Sequence, residues 1–213
     1  MSRFHLPTDE QIDAVVRPYG FQPSSEFCEK TRIYIGLLLK WNQRVALTSV
    51  TSISEILRVH FGESLFAISA ADIAVGRLAD VGSGAGFPGV PLATGLPRLE
   101  VNLIESNAKK AAFLSELVRA LQLTNSRVHH GRAESMGGYE RFDIVSARAV
   151  GEYQELLKWS EVHLKRGGKA ILWLGVRQVE QLAGIHGWAW QSPLQVPNTK
   201  GRFILVGSVR GSL

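Results

Sequence analysis

The chain has 213 residues, 45% hydrophobic and 20% charged, which suits one α/β domain with an appendage or two small units. No apolar run approaches the ~20 residues that a membrane-spanning helix needs. The first ten residues, MSRFHLPTDE, hold no secretory signal, and the single Cys28 excludes an intramolecular disulfide and a multi-cysteine zinc site, so a cytoplasmic home is expected. The net charge of +5 is unevenly spread: residues 1–76 carry seven Lys/Arg and eight Asp/Glu, residues 77–213 carry 17 and 11. That surplus fits a polyanionic partner, where basic side chains gain affinity by releasing phosphate counterions, or simply a soluble surface.

The first 76 residues read as a helical cap. Thr8 and Gln11 form a capping-box pattern before Ile12, Val15 and Val16, and Pro18 and Gly20 stop that helix. A second helix follows Ser24 and Ser25, with Phe27, Tyr34, Leu37, Leu38 and Trp41 on one face. A third starts at the box Ser52…Glu55 and carries Ile56, Leu57, His60, Leu65 and Ile68, with Glu63 the possible partner of His60.

From Arg77 to Leu213 the pattern changes to that of an α/β domain. Strands are expected at 78–81, 101–105, 127–130, 142–147, 170–174 and 203–206, with helices at 88–94, 108–121, 152–164 and 178–185 between them. This alternation predicts a mostly parallel, seven-stranded, Rossmann-like sheet. Residues 188–196 and 202–210, joined by a Pro-Asn-Thr-Lys-Gly turn, predict an antiparallel hairpin at its end.

The sharpest motif is Asp80-Val-Gly82-Ser-Gly84-Ala-Gly86-Phe87-Pro88-Gly89, placed between a strand and a helix. Glycines there let backbone N–H groups approach a ligand with no Cβ in the way. Gly84-x-Gly86-x-x-Gly89 also satisfies the dinucleotide fingerprint, so an NAD-dependent dehydrogenase is a rival. Against it stand the extra Gly82, an acid at the strand end that would repel a diphosphate, and the closing hairpin in place of a second nucleotide-binding half. Asp80-x-Gly82-x-Gly84-x-Gly86 is instead the loop that cradles the methionine part of S-adenosylmethionine in class I methyltransferases. Glu105, 19 residues after Gly86, ends the next strand and is placed for ribose hydroxyls. Ala133 and Glu134, after the third strand, are placed for the adenine edge.

The fourth strand reads Phe142-Asp-Ile-Val-Ser-Ala-Arg148-Ala. It lacks the Asn/Asp-Pro-Pro-Tyr tetrad used on exocyclic amines, and no cysteine lies nearby for pyrimidine C5 chemistry. Targets that are already nucleophilic remain, among them guanine N7, an unprotonated lone pair. No catalytic acid or base is assigned. Arg148 is read as a cofactor or substrate contact, or as a rim arginine paired with Asp143 or Glu152. His129 and His130 are read as structural, and no metal site is expected.

These residues place the chain beside a known family. WNQRVALTSV, EILRVHFGESL, LADVGSGAGFPGVPLA, LIESNAKKAAFL, GRAES, FDIVSARAV and QVPNTKGRFILVG occur in order over about residues 30–210. The chain resembles the bacterial glucose-inhibited division protein B family, the guanine-N7 methyltransferases of small-subunit (16S) ribosomal RNA. The resemblance implies an N-terminal helical cap on a class I methyltransferase sheet and S-adenosylmethionine as methyl donor. It implies cofactor contacts at Gly82, Phe87, Ala133, Glu134 and Arg148 with Glu105 at the ribose, and RNA contacts at Lys109, Lys110 and Arg202. The implied partner is 16S rRNA or the small ribosomal subunit, with no membrane; a monomer is expected. Departures fall at Ala46, at Val59 and at Leu174, toward the substrate side. The other rivals are a small-molecule methyltransferase of this fold and a noncatalytic ribosome-binding module.

Overall fold

The structure is a computed structural model, and it describes residues 5–136, 141–149, 151 and 153–211. The first helix, α1 (Asp9–Val16), carries the expected box: the Thr8 hydroxyl accepts from Gln11 N–H and the Gln11 side chain accepts from Thr8 N–H. Helix α2 (Ser25–Asn42) is capped by Ser24 and buries Phe27, Tyr34, Ile35 and Leu38. The third expected helix departs from the forecast. Its first turn, α3 (Ile53–Glu55), has no capping box, because the Ser52 hydroxyl bonds Ser54 and the Glu55 carboxylate pairs with Arg58. The chain then widens into a π-helix over Ile56–Gly62 before resuming as α4 (Glu63–Ala70). Wide π-turns are rare and re-aim side chains, often at functional sites.

The strands follow: β1 (Gly76–Val81), β2 (Leu99–Glu105), β3 (Ser126–His130), β4 (Phe142–Arg148), β5 (Leu164–Gly175), β6 (Trp188–Trp190), β7 (Leu194–Gln195) and β8 (Arg202–Val209). Their order is β3-β2-β1-β4-β5-β8-β6, with β7 also pairing β8. The first five are parallel to their neighbours, and β8 runs antiparallel to β5. Eight strands replace the seven expected because the segment 188–196 splits at 191–193. Pro193 has no N–H to give to a ladder. The closing hairpin is otherwise present, with β6 and β7 both antiparallel to β8.

Successive strand residues point to opposite faces, and the two cores record it. Leu78, Leu103, Ile144, Ile171 and Ile204 join one hydrophobic cluster, while their neighbours Ala79, Ile104, Val145, Leu172 and Leu205 join the other. The first core also holds Ile12, Val16, Tyr34, Leu38, Ile56 and Leu65 of the cap, with Phe113 and Leu117 of α6 (Ala108–Ala120). The second takes Leu156, Leu157 and Trp159 of α7 (Tyr153–His163) and Leu182 of α8 (Val176–Ala183). Glu152, where α7 was expected to begin, lies outside the described residues. Among the described residues no helix is long and apolar enough to cross a membrane.

Candidate active site at the carboxyl ends of the strands

The strand order reverses between β1 and β4, and open α/β sheets bind ligands outside the carboxyl ends of their strands at such a point. The glycine loop leaves β1 there. Its first turn is tied to β2, since Gly82 and Ser83 N–H both donate to the Ile104 carbonyl at 2.9 and 3.1 Å. The Glu105 carboxylate, at the end of β2, accepts from Gly84 N–H at 2.8 Å and Asn107 N–H at 2.7 Å. Gly131 N–H donates to the Glu105 carbonyl at 3.0 Å, which brings the 3₁₀ turn Ala133–Ser135 to the same rim. Gly82, Gly84, Glu105, Ala133 and Glu134 thus lie along one rim of the sheet, with Ala133 buried and Glu134 exposed.

The glycines differ in what they face. Gly84 has φ +57, and a Cβ there would meet only the Gly82 carbonyl at 3.7 Å, so its side is open to a ligand. Gly86 has φ +95, and a Cβ would lie 2.7 Å from the Tyr34 hydroxyl and 2.9 Å from Val90 Cγ2. It serves the close approach of the cap to the loop.

Asp80 and Phe87 are turned inward. The Asp80 carboxylate is 1% exposed and accepts from Ser146 Oγ at 2.9 Å and Gly89 N–H at 3.2 Å, which clamps β1 to β4 and to the start of helix α5 (Gly89–Gly95). Burial pushes its pKa up to about 6 against those hydrogen bonds. The Phe87 ring lies between two rings of the cap, stacked on Tyr34 at 5.0 Å and on His60 at 4.4 Å. Tyr34 also donates its hydroxyl to the Ala85 carbonyl at 2.5 Å. The cap therefore shapes the loop directly. The helical spacing of Tyr34 announced a buried ring, but nothing local announced a loop fifty residues away.

His60 and Arg148 find partners other than those the local sequence offered. His60 Nε2 bonds Thr48 Oγ1 at 2.8 Å, not Glu63, and its buried Nδ1 has no hydrogen-bond partner. Burial, with help from Arg148 and Arg202, lowers its pKa to about 3, so the ring is neutral. Arg148 does not pair with Asp143, which holds Lys165 and the Arg77 N–H, and its other expected partner, Glu152, lies outside the described residues. It donates to the Val59 carbonyl and to Glu63 Oε2, both at 2.9 Å. Glu63 Oε1 accepts from Arg202, and the Glu63 carbonyl accepts from Trp173 Nε1 at 2.7 Å. A single buried acid on α4 thereby joins the cap to the ends of β4, β5 and β8.

Lys109 and Lys110 open helix α6, and their N–H groups are capped by Asn107 Oδ1 at 3.0 and 3.2 Å. Lysine at a helix N-terminus opposes the helix dipole, so their place is not explained by helix stability. His129 bonds Asn102 at 2.9 Å in the sheet, a structural role.

Residues 27–192 match the family described as GidB, rRNA small subunit methyltransferase G. The chain belongs to the GidB family. The ribosomal RNA small subunit methyltransferase G of Desulfitobacterium hafniense is 40% identical over 163 residues, 75% of this chain and 67% of its own length. Among solved structures, precorrin-6y C5,15-methyltransferase from Geobacter metallireducens superposes with a TM-score of 0.59 at 14% identity, over 76% of this chain and 90% of that one. The glycopeptide N-methyltransferase MtfA, solved with S-adenosyl-L-methionine, gives 0.58 at 13%, over 70% and 87%. These likenesses carry the fold, and this GidB-family chain has the class I methyltransferase fold.

Proposed function

We propose that the protein transfers a methyl group from S-adenosylmethionine to N7 of a guanine in small-subunit ribosomal RNA. The observation that carries this reading is the Cα face of Gly84, open where a side chain would stand, in a loop whose Gly84 N–H is tied to Glu105 of the neighbouring strand. Such a cradle suits a zwitterionic nucleoside. Gly82, Gly84, Ala133 and Glu134 line the cofactor, Glu105 faces the ribose, and Asp80, Gly86 and Phe87 act from beneath by fixing the loop. Arg148 and Arg202 stand on the substrate side, with Lys109 and Lys110 as phosphate contacts.

The bound cofactor supplies the electrophilic methyl group. Guanine N7 is a free lone pair, so no residue has to remove a proton before transfer, and the protein's contribution is alignment. This agrees with a site whose histidine is buried and neutral. Residues 1–76 are the cap and 77–213 the catalytic domain in this reading.

Titration with S-adenosylhomocysteine and mass mapping of 16S rRNA nucleosides, after incubation with small subunits from a strain lacking this activity, test the proposal. Saturable binding and new N7-methylguanosine are expected; absence of either defeats it. Lys109→Ala with Lys110→Ala is expected to weaken RNA binding and flatten its salt dependence by about one to two released ions, with cofactor affinity unchanged. An unchanged salt slope would remove both lysines from the RNA surface.

A further inference from the structure

Beside Arg148, on the side away from the glycine loop, lies a cavity of about 370 Å³. It opens at the ends of β4 and β5 and the start of β8, on the edge of the sheet that carries the loop after β1. Tyr153, Phe203, Gln178, Arg148 and Arg202 line it, and Glu63 lies at its base. Its volume falls within the ~300–1,000 Å³ of small-molecule pockets. We propose that this cavity receives the target guanine nucleotide after it leaves the RNA stack, with Tyr153 and Phe203 stacking on the base and the two guanidiniums donating to its O6 and phosphate. The inference rests on the methyltransferase reading and names the substrate subsite of that same site.

Three features of the lining support the assignment. Tyr153 and Phe203 are both half-buried, and Phe203 belongs to neither hydrophobic core, so its ring is left for something else. Extruded bases are held by stacking of this kind. The carboxylate and carboxamide acceptors of the lining side chains are already engaged, which leaves the two guanidiniums and the Gln178 amino group as donors. Both Glu63 oxygens are occupied by the arginines, and Gln178 Oε1 accepts from Gly175 N–H at 2.8 Å. A donor wall matches the guanine edge, which shows O6 and N7 as acceptors, and mismatches adenine, which shows an N6 amino group there. Donation to O6 leaves N7 unbonded for reaction. Finally, two guanidiniums face one carboxylate, so among the described lining residues one positive charge is uncompensated and suits a phosphate. Arg202, with a side chain 48% exposed, is the reachable member, while Arg148 at 15% is the fixed one.

The Trp173 indole N–H, bonded to the Glu63 carbonyl at the cavity wall, is a reporter. Its nitrogen–proton NMR signal, assigned with Trp173→Phe, would be followed while GMP, IMP, AMP and inorganic phosphate are titrated with and without S-adenosylhomocysteine. GMP and IMP, which share O6 and N7, are expected to shift it saturably, and AMP to bind at least tenfold more weakly. Phe203→Ala and Tyr153→Leu are each expected to weaken GMP roughly tenfold to a hundredfold while cofactor affinity holds. Equal binding of AMP, equal response to phosphate alone, or no response to GMP overturns the guanine subsite, and the wild-type comparison decides this even if a variant misfolds. Failure of S-adenosylhomocysteine to bind is a separate result, which removes the methyltransferase reading instead.

Discussion

Gly84 and Gly86 sit two residues apart in one loop and answer to different neighbours. Gly84→Ala places a methyl group in the open cradle and is expected to lower cofactor affinity at least tenfold, with about 1 kcal/mol of lost stability from its left-handed backbone. Gly86→Ala drives a methyl group into Tyr34 and Val90 and is expected to cost about 1–3 kcal/mol by overpacking as well as strain. Calorimetric titration alongside thermal melts separates the two; equal effects on both readouts would contradict the assignment. His60 makes a pH prediction. Its folded pKa is lowered to about 3 from 6.5, so below pH 6.5 the unfolded chain binds a proton that the folded chain refuses. The stability this neutral ring lends is complete above that value and is lost as pH falls toward 3. The raised Asp80 works in the opposite sense, reducing stability as pH rises from 3.8 to about 6. Because Asp80 is common to both proteins, the melting-temperature advantage of wild type over His60→Gln is expected to be larger at pH 7 than at pH 4.5. A difference independent of pH would refute the buried neutral ring.

The junction between the π-helix Ile56–Gly62 and α4 is the element on which the cap and sheet converge. His60 from the π-turns stacks on the loop ring Phe87, the Val59 carbonyl receives Arg148, and Glu63 at the start of α4 receives Arg148 and Arg202. Removing one partner from a buried ion pair leaves the other charge uncompensated, typically at 3–5 kcal/mol. Glu63→Gln is therefore expected to lower the unfolding free energy measured by chemical denaturation by an amount in that range, and the midpoint with it, because Arg148 stays buried while it loses its charge partner. A midpoint within error of wild type would show that the triad contributes nothing net.

Cap and sheet share one hydrophobic core, in which Tyr34, Leu38, Ile56 and Leu65 meet Leu78, Leu103 and Ile144. The helices before Gly76 accordingly have no separate core of their own among the described residues. One cooperative unfolding transition is expected, with helix and tryptophan signals coincident in denaturant. An early transition in which the cap melts and the sheet persists would contradict the shared core. The same packing makes the cofactor loop depend on the cap, since Tyr34 and His60 grip Phe87.

Much was legible in the chain alone. The alternation of strands and helices, the box at Thr8, the loop from Asp80 to Gly89 and the carboxylate at Glu105 are local patterns, set by backbone geometry within a few residues; the box caps its helix, and the loop and Glu105 fall at the strand ends where they were expected. What only the tertiary structure decided are the partnerships across the chain: Glu63 with Arg148 and Arg202, His60 with Thr48 and Phe87, Tyr34 with Ala85. The split of the closing strand at Pro193 and the π-turns after Ser52 also emerged only there. The physical reason is that periodicity and caps record which way a residue faces, whereas ion pairs and ring stacks depend on which distant element the fold brings opposite, and one residue's neighbours in sequence carry no record of that.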